Sequence, residues 1–234
     1  MNLIALHGFL GQSQDFEPLK KILNPHWSLI PDLFGKDQNL LRSGFDEFVD
    51  QLSLRIDEEV PATAPLQLVG YSLGGRLALH LALKYPKRFD RVILLSTHPG
   101  VFDFEERALR SVWEQSWVRR IKETPWETWT REWMNQDLFL KDPPRSLKES
   151  DFSKEALIRA FECFSSTMST YSQKDLSDLK RPFVWVTGEK DLKFCQLMKQ
   201  VQKIRPHRDQ HLVVEGASHR LLAKKDLAWL SDLF

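Results

Sequence analysis

One serine lies where the sequence could support nucleophilic or base chemistry. Ser72 is the centre of Gly70-Tyr71-Ser72-Leu73-Gly74, a Gly-x-Ser-x-Gly motif that follows an apolar run and precedes a helical pattern. A sharp turn from strand to helix would place the hydroxyl at a helix N-terminus, where partial positive charge favours a developing anion. The motif therefore predicts an activated serine. The alternative is a serine that only caps the helix in a glycine-rich turn.

A serine hydroxyl is a poor nucleophile or base unless a histidine is within reach and a carboxylate holds that histidine in the right tautomer. Asp191 and His219 each follow an apolar run that predicts a strand, and they come after Ser72 in the order Ser, Asp, His. We therefore predict a catalytic triad of Ser72, Asp191 and His219. Other interpretations are a solvated or capping role for Asp191, with Glu189 as the competing acid, and a structural role for His219.

An oxyanion formed during such chemistry needs two preorganised backbone N–H donors. One would be the amide of Leu73, directly after the serine. The loop 7–11 after the first predicted strand would supply the other, which we assign to Phe9. The side chain of His7 is predicted to hold this loop rather than to take part in catalysis.

Short apolar runs alternate with amphipathic stretches along most of the chain, and this alternation must position those residues. The predicted strands are 3–6, 27–31, 66–69, 92–95, 183–186 and 211–214, and the predicted helices are 45–60, 77–83 and 226–234. Strands rich in Val, Leu and Ile that alternate with helices indicate parallel pairing with both faces of the sheet buried. The sequence therefore predicts an α/β fold with a mostly parallel sheet flanked by helices.

One long stretch between strands 92–95 and 183–186 interrupts this alternation. It has no convincing strand, it predicts helices at 104–123, 126–135 and 154–167, and it holds five of the eight tryptophans. Since a structureless loop of this size would be implausible, we interpret it as a helical insertion. The predicted organisation is a core of residues 1–98 and 181–234 with a helical cap at 99–180.

Composition excludes several classes of protein. The chain has 234 residues and a formal net charge of +1, which argues against a main role in binding nucleic acid. Neither a signal peptide nor an apolar run long enough to span a membrane is evident, so a cytoplasmic location is expected. No metal site or dinucleotide-binding motif stands out, and we expect neither metal nor cofactor. The sequence does not indicate an oligomeric state.

The motifs together resemble the α/β-hydrolase fold across nearly the whole chain. A narrower set is similar to the 2-succinyl-6-hydroxy-2,4-cyclohexadiene-1-carboxylate synthases of menaquinone biosynthesis. The segments that carry this similarity are 70–76, 98–100, 105–107 with Arg110, 188–191 and 193–194. The resemblance implies that Ser72, activated by His219 and Asp191, removes a proton from its substrate so that pyruvate is eliminated. It also implies a small, carboxylate-bearing substrate.

Four positions match substrate contacts of that family: Tyr71, Arg76, Arg110 and Trp133. Arg76 also has a physical reason to bind an anion, because a cation in the first turn of a helix opposes the macrodipole by about 0.3–1 kcal/mol, which a bidentate carboxylate would offset. The alternatives are a solvated Arg76, an ordinary exposed Arg110 and a packing role for Trp133. Whether Arg159 matches another anion-binding arginine of that family stays open.

A different reaction class is also compatible with the triad. A serine carboxylesterase or a C–C bond hydrolase acting on a small acyl substrate would use the same three residues. The two arginines near the serine favour an anionic substrate, and hence the synthase, over a neutral ester. A non-catalytic binding module on the same fold is the third interpretation, and the intact triad counts against it.

Overall fold

Six parallel strands form one sheet in the computed structural model, which describes residues 1–61, 64–224 and 227–234. The strands are β1 (Asn2–Leu6), β2 (Trp27–Leu29), β3 (Leu66–Tyr71), β4 (Arg91–Leu95), β5 (Val184–Gly188) and β6 (Gln210–Val214). Their order across the sheet is β2-β1-β3-β4-β5-β6, and every neighbouring pair is parallel. The predicted α/β class with a parallel sheet is confirmed, and the sheet brings the carboxyl ends of β3, β5 and β6 to one edge.

The described helices connect these strands. They are α1 (Glu17–Leu23), α2 (Phe45–Glu59), α3 (Leu73–Lys84), α4 (Phe104–Glu123), α5 (Trp126–Met134), α6 (Lys154–Glu162), α7 (Gln173–Asp178) and α8 (Leu192–Ile204). Short 3₁₀ turns occur between them, and one at Ala228–Leu233 closes the chain. The predicted tail helix began at Asp226, which lies outside the described residues.

Apolar side chains of the sheet point alternately to two buried clusters, as the two-residue period of a strand requires. In β1, Ile4 and Leu6 join the larger cluster with α2 and α3, whereas Leu3 and Ala5 join a smaller one. That smaller cluster includes Leu19 of α1. Both faces of the sheet are therefore covered, which explains why its strands read as continuous apolar runs.

Helices α4 to α7 lie between β4 and β5, where the sequence predicts the helical insertion. The tryptophans of this segment are largely buried against each other: the ring centroids of Trp117 and Trp133 are 4.9 Å apart, and those of Trp126 and Trp129 are 5.1 Å apart. Trp133 also contacts Phe9 of the sheet domain at 4.7 Å. Aromatic packing therefore joins the inserted helices to the loop after β1. The division into a core and a cap at residues 99 and 180 stays a prediction.

No helix in residues 1–61, 64–224 and 227–234 is long and apolar enough to cross a membrane.

Two buried histidines are expected to make folding sensitive to acid. Burial lowers the pKa of His7 to about 4 and that of His80 to about 3. Well above pH 6.5, the ordinary pKa of histidine, both rings are neutral in the folded and in the unfolded chain. As the pH falls, the unfolded chain takes up protons that the folded chain cannot, so stability declines toward pH 4. We expect urea unfolding to show a loss on the order of 4 kcal/mol between pH 7.5 and 5.

The variant His80→Gln should reduce this pH dependence by about one proton. A matched control is His26→Gln, because His26 is exposed and its replacement should leave the pH dependence unchanged. An equal pH dependence in all three proteins would contradict the assignment of the acid sensitivity to His80.

Candidate active site

The turn between β3 and α3 holds Ser72 in an unusual backbone conformation. Its φ is +53° and its ψ is −109°, in a region that residues other than glycine rarely adopt. The amide of Ser72 donates to the carbonyl of Leu95 in β4 at 2.9 Å, which fixes the turn against the neighbouring strand. The serine therefore lies at the carboxyl edge of the sheet and at the N-terminus of α3.

The two glycines of the motif are required by close packing of the backbone. A Cβ atom on Gly70 would lie 2.5 Å from the carbonyl oxygen of Gly74, and a Cβ on Gly74 would overlap the carbonyl of Leu6. No L side chain can be accommodated at such distances. This explains why the sharp turn needs glycine on both sides of Tyr71-Ser72-Leu73.

Ser72, His219 and Asp191 form a continuous hydrogen-bonded row. His219 Nε2 lies 3.3 Å from Ser72 Oγ, and His219 Nδ1 lies 2.6 Å from Asp191 Oδ2. His219 is 1% exposed and Asp191 is 4% exposed. With Nδ1–H donating to the carboxylate, Nε2 is left to accept the serine proton. The structure thus brings the three predicted residues together in the order that proton transfer from the serine requires.

The two candidate carboxylates, Asp191 and Glu189, differ in their contacts. Asp191 is buried rather than solvated, and its second oxygen accepts from the amide of Phe194 at 3.3 Å, so it caps α8 as well as contacting His219. Glu189 is exposed and accepts from the amide of Gly216 at 2.8 Å instead. Of the two acids, only Asp191 contacts the histidine.

Three aromatic rings surround His219. The ring centroids of Phe194, Tyr71 and Phe139 lie 4.7, 5.4 and 5.5 Å from the imidazole. Burial raises the pKa of Tyr71 well above its ordinary value, so its phenol stays protonated. The rings limit the imidazole to a narrow range of orientations.

The loop after β1 and the start of α3 hold Phe9 and Leu73, the two residues predicted to donate to an oxyanion. His7 is buried in that loop; its Nδ1 lies 3.0 Å from the carbonyl of Gly8, and its Nε2 accepts from the amide of Leu33 at 2.9 Å. In the described part of the chain, the amides of Phe9 and Leu73 donate to no other residue. Both residues line the cavity beside Ser72, so their N–H groups are free to bind an oxyanion.

A cavity of about 660 Å³ lies in front of the serine. It is bounded by the sheet edge below and by α4, α5 and α6 above. Of the nine predicted site residues, all except Asp191 and His219 line it: Phe9, Tyr71, Ser72, Leu73, Arg76, Arg110 and Trp133. The predicted substrate contacts are therefore gathered around one space.

Arg76 is half-buried in this cavity and incompletely paired. One of its terminal nitrogens donates to the carbonyl of Phe164 at 2.9 Å, whereas its buried Nε has no hydrogen-bond partner among the described residues. Burial, together with the charge of Arg110, lowers its pKa to about 10. The guanidinium remains charged at neutral pH, so a carboxylate in the cavity would satisfy it.

Arg110 and Trp133 each combine a structural contact with a place on the cavity wall. The guanidinium of Arg110 pairs with Glu114 at 2.7 Å and lies 4.2 Å from the ring centroid of Trp113. Arg110 is therefore held in place rather than exposed. Trp133 is 7% exposed and packs among other aromatic rings, so its contribution to packing is real even though it lines the cavity.

Two further cavity residues were not singled out as site residues from the sequence. His98 accepts from the amide of Gly100 through Nδ1 at 3.1 Å, and burial together with Arg76 and Arg110 lowers its pKa well below the ordinary value. It is thus neutral, with Nε2–H as a donor. Lys193 lies in the first turn of α8, and burial and Arg110 lower its pKa. The signal in the sequence that could have identified Lys193 as a site residue is its position two residues after Asp191.

Arg159 in α6 is not among the residues that line this cavity, and its buried Nε has no hydrogen-bond partner in the described part of the chain. Residues 1–61, 64–224 and 227–234 contain no group of three or more His, Cys, Asp or Glu side chains that could hold a metal ion.

The parallel sheet, the serine turn and the order of the contacting residues define the class of protein. Residues 2–226 match the α/β hydrolase fold family, and the chain belongs to that family. It is an enzyme of this fold.

Curated relatives narrow the similarity. The 2-succinyl-6-hydroxy-2,4-cyclohexadiene-1-carboxylate synthase of Yersinia pseudotuberculosis serotype O:1b (strain IP 31758) is 28% identical over 208 residues, covering 86% of this chain and 76% of the relative. The synthase of Yersinia pestis (strain Pestoides F) is 28% identical over 206 residues, covering 85% and 75%. The resemblance of the sequence to these synthases is confirmed.

Solved structures confirm the fold. MenH from S. aureus superposes with a TM-score of 0.85 at 20% sequence identity, over 99% of this chain and 91% of the other. A carboxylesterase from Bacillus subtilis superposes with a TM-score of 0.63 at 14% identity, over 96% and 79%. Since one fold serves several reactions, the reaction must be argued from the site.

Proposed function

We propose that this enzyme is a 2-succinyl-6-hydroxy-2,4-cyclohexadiene-1-carboxylate synthase, a carbon–oxygen lyase that eliminates pyruvate in menaquinone biosynthesis. The observation that carries the proposal is Arg76, whose half-buried guanidinium lines the cavity beside Ser72 and donates to a neutral backbone carbonyl, that of Phe164. A neutral ester would leave this cation unpaired, whereas a carboxylate would pair with it. The similarity to synthases of that name supports the same substrate class.

The substrate chemistry fits the charge of the cavity. The product carries a carboxylate on its ring and another on its succinyl group, and pyruvate adds a third to the substrate. Five basic side chains line the cavity, together with the acidic Glu106 and Asp137: Arg76, Arg110, Arg145, Lys193 and Arg220. Two of the five, Arg145 and Arg220, are paired with Asp15 and Asp142. We propose that Arg76, Arg110 and Lys193, with Tyr71 and Trp133, bind and orient a small polycarboxylate.

In the proposed reaction Ser72 acts as a base rather than forming an acyl-enzyme. His219 Nε2 draws the proton of the serine hydroxyl, and Ser72 Oγ removes a proton from the ring carbon that bears the succinyl carbonyl. The amides of Phe9 and Leu73 would bind the enolate oxygen that develops. Collapse of this substrate enolate forms a ring double bond and breaks the C–O bond to the pyruvyl group. The group that leaves is the enolate of pyruvate, and the protonated His219 returns the proton to it, which gives pyruvate.

Asp191 keeps its negative charge throughout this cycle. Its hydrogen bond to Nδ1 orients the imidazole and stabilises the imidazolium that forms when the proton arrives. The aromatic rings around His219 exclude water from the proton path, and the helices at 99–180 act as the cap that closes the cavity. No cofactor takes part in the proposed steps, and the proposed location is cytoplasmic.

The direct test is release of pyruvate from the synthase substrate, followed by coupling to lactate dehydrogenase and NADH. The purified protein is expected to release pyruvate at a rate far above its turnover of p-nitrophenyl acetate. Good ester turnover without pyruvate release would overturn the proposal and indicate a serine carboxylesterase or C–C bond hydrolase.

A further inference from the structure

The segment 136–148, here called the strap, connects α5 to the 3₁₀ turn at Glu149–Asp151 and runs across the loop that carries His219. Its residues Gln136 to Phe139 line the cavity, and the ring of Phe139 packs edge-on against the imidazole of His219. The strap belongs to the inserted helical region, whereas His219 belongs to the sheet edge. Contacts between them therefore connect the two parts of the active site.

One buried carboxylate makes most of the polar contacts between the strap and that loop. The side chain of Asp142 is fully buried, and one of its oxygens accepts a hydrogen bond from Ser218 Oγ. Its oxygens also lie 3.2 and 3.3 Å from the amide nitrogen of Arg220, and one lies 3.4 Å from the Nε atom of Arg220. Arg220 donates in addition to the carbonyl of Pro143.

Ser218 and Arg220 are the residues on either side of His219. Asp142 thus fixes the backbone before and after the histidine, while Ser96 Oγ donates to the His219 carbonyl at 3.0 Å from the opposite side. The distance of 3.3 Å between His219 Nε2 and Ser72 Oγ is already at the long end of hydrogen bonding. A small shift of the loop would break this contact.

We infer that Asp142 is a positioning residue that holds His219 in line with Ser72 by fixing the strap to the residues on either side of the histidine. The inference rests on the proposed role of His219 as the acceptor of the Ser72 proton. It does not depend on the identity of the substrate. Asp142 acts through Ser218 and Arg220 and touches neither substrate nor the reacting atoms.

A fluorophosphonate probe measures this alignment without the synthase substrate. Ser72 Oγ attacks the phosphorus, the P–F bond breaks, fluoride leaves, and His219 takes the serine proton. The labelling rate, followed by intact mass spectrometry, therefore reports the competence of the Ser72–His219 pair. We expect Asp142→Ala to label about tenfold more slowly, because displacements near 1 Å cost up to about 100-fold in rate.

Two milder variants and one control accompany Asp142→Ala. Asp142→Asn keeps an acceptor for Ser218 but loses the charge facing Arg220, and Ser218→Ala removes one donor and leaves no buried charge unpaired. Both are expected to label about threefold more slowly, an intermediate effect at a positioned contact. Glu149→Gln changes an exposed acid at the end of the strap and should label at the wild-type rate. Circular dichroism checks that each variant is folded.

The alternative role of Asp142 gives the opposite result. If the strap only covers the cavity, releasing it opens access to the serine, and the folded variants would label as fast as the wild type or faster. That outcome overturns the inference, as does a wild-type protein that does not label at Ser72. A wild-type protein that labels at Ser72 but releases no pyruvate overturns the proposed synthase activity alone.

Discussion

Replacement of Ser72 by alanine is expected to lower the rate of pyruvate release by at least about 1,000-fold, within the range that a general base contributes to catalysis. The physical reason is the loss of Ser72 Oγ, the one atom that joins His219 Nε2, 3.3 Å away, to the cavity. The turn should keep its shape, because its backbone is set by Gly70, Gly74 and the hydrogen bond from the Ser72 amide to the Leu95 carbonyl. The coupled pyruvate assay measures the effect.

Substrate binding provides the internal control for this variant. Since Arg76 and Arg110 are untouched, Ser72→Ala should bind the synthase substrate within about threefold of the wild type by calorimetry, a difference below 1 kcal/mol. Ser150→Ala, at an exposed serine in the turn after the strap, should retain full activity. A Ser72→Ala protein that still released pyruvate but lost all ester hydrolysis would show that another group removes the substrate proton.

The sheet was accessible from the sequence because its strands are buried on both faces. Continuous apolar runs stand out from polar turns. The run 92–95 predicted β4, which in the structure begins one residue earlier, at Arg91. Helix α1 was missed because it is short and has just one fully buried residue, Leu19. Helix α3 was placed too late, at residue 77, because Gly74 and Gly75 are poor helix formers; close packing against Leu6 and Thr97 requires them there.

The sequence also predicted which residues the active site would gather, because three strand ends meet at one edge of a parallel sheet. Ser72, Asp191 and His219 each follow such a strand, so their meeting required no knowledge of side-chain packing. The contacts of Asp142 could not be found in this way. They depend on how the strap folds back over residues 218–220, and no local pattern encodes this path.

The charges on the cavity wall also could not be predicted from the composition of the chain. A net charge of +1 gives no sign that five basic side chains and two acidic ones line one small space. Resemblance identified Arg76 and Arg110, but the pairing of Arg110 with Glu114 and its contact with Trp113 appear only in the folded structure. Because Arg110 is already paired, Arg76 is the arginine whose loss should affect an anionic substrate most.

The variant Arg76→Ala is expected to lower kcat/KM for the synthase substrate by about 100-fold, as a charge-assisted hydrogen bond of up to about 3 kcal/mol would give. Turnover of the neutral ester p-nitrophenyl acetate should change by less than about threefold, since a neutral substrate makes no ion pair with the arginine. The two rates are measured on the same preparation. Their ratio separates binding of a carboxylate from general damage to the site.

A matched control is Arg107→Ala in α4. Arg76 and Arg107 each donate to a backbone carbonyl of the inserted helical region, and the partner of Arg107 is Thr167 at 2.7 Å. Arg107 is not among the residues that line the cavity. Its loss should leave both rates near the wild-type values. Equal losses for the two substrates in Arg76→Ala would mean that the hydrogen bond of Arg76 to the Phe164 carbonyl, rather than its charge, is what matters. The site would then have no demonstrated preference for an anion, and the esterase interpretation would gain the advantage.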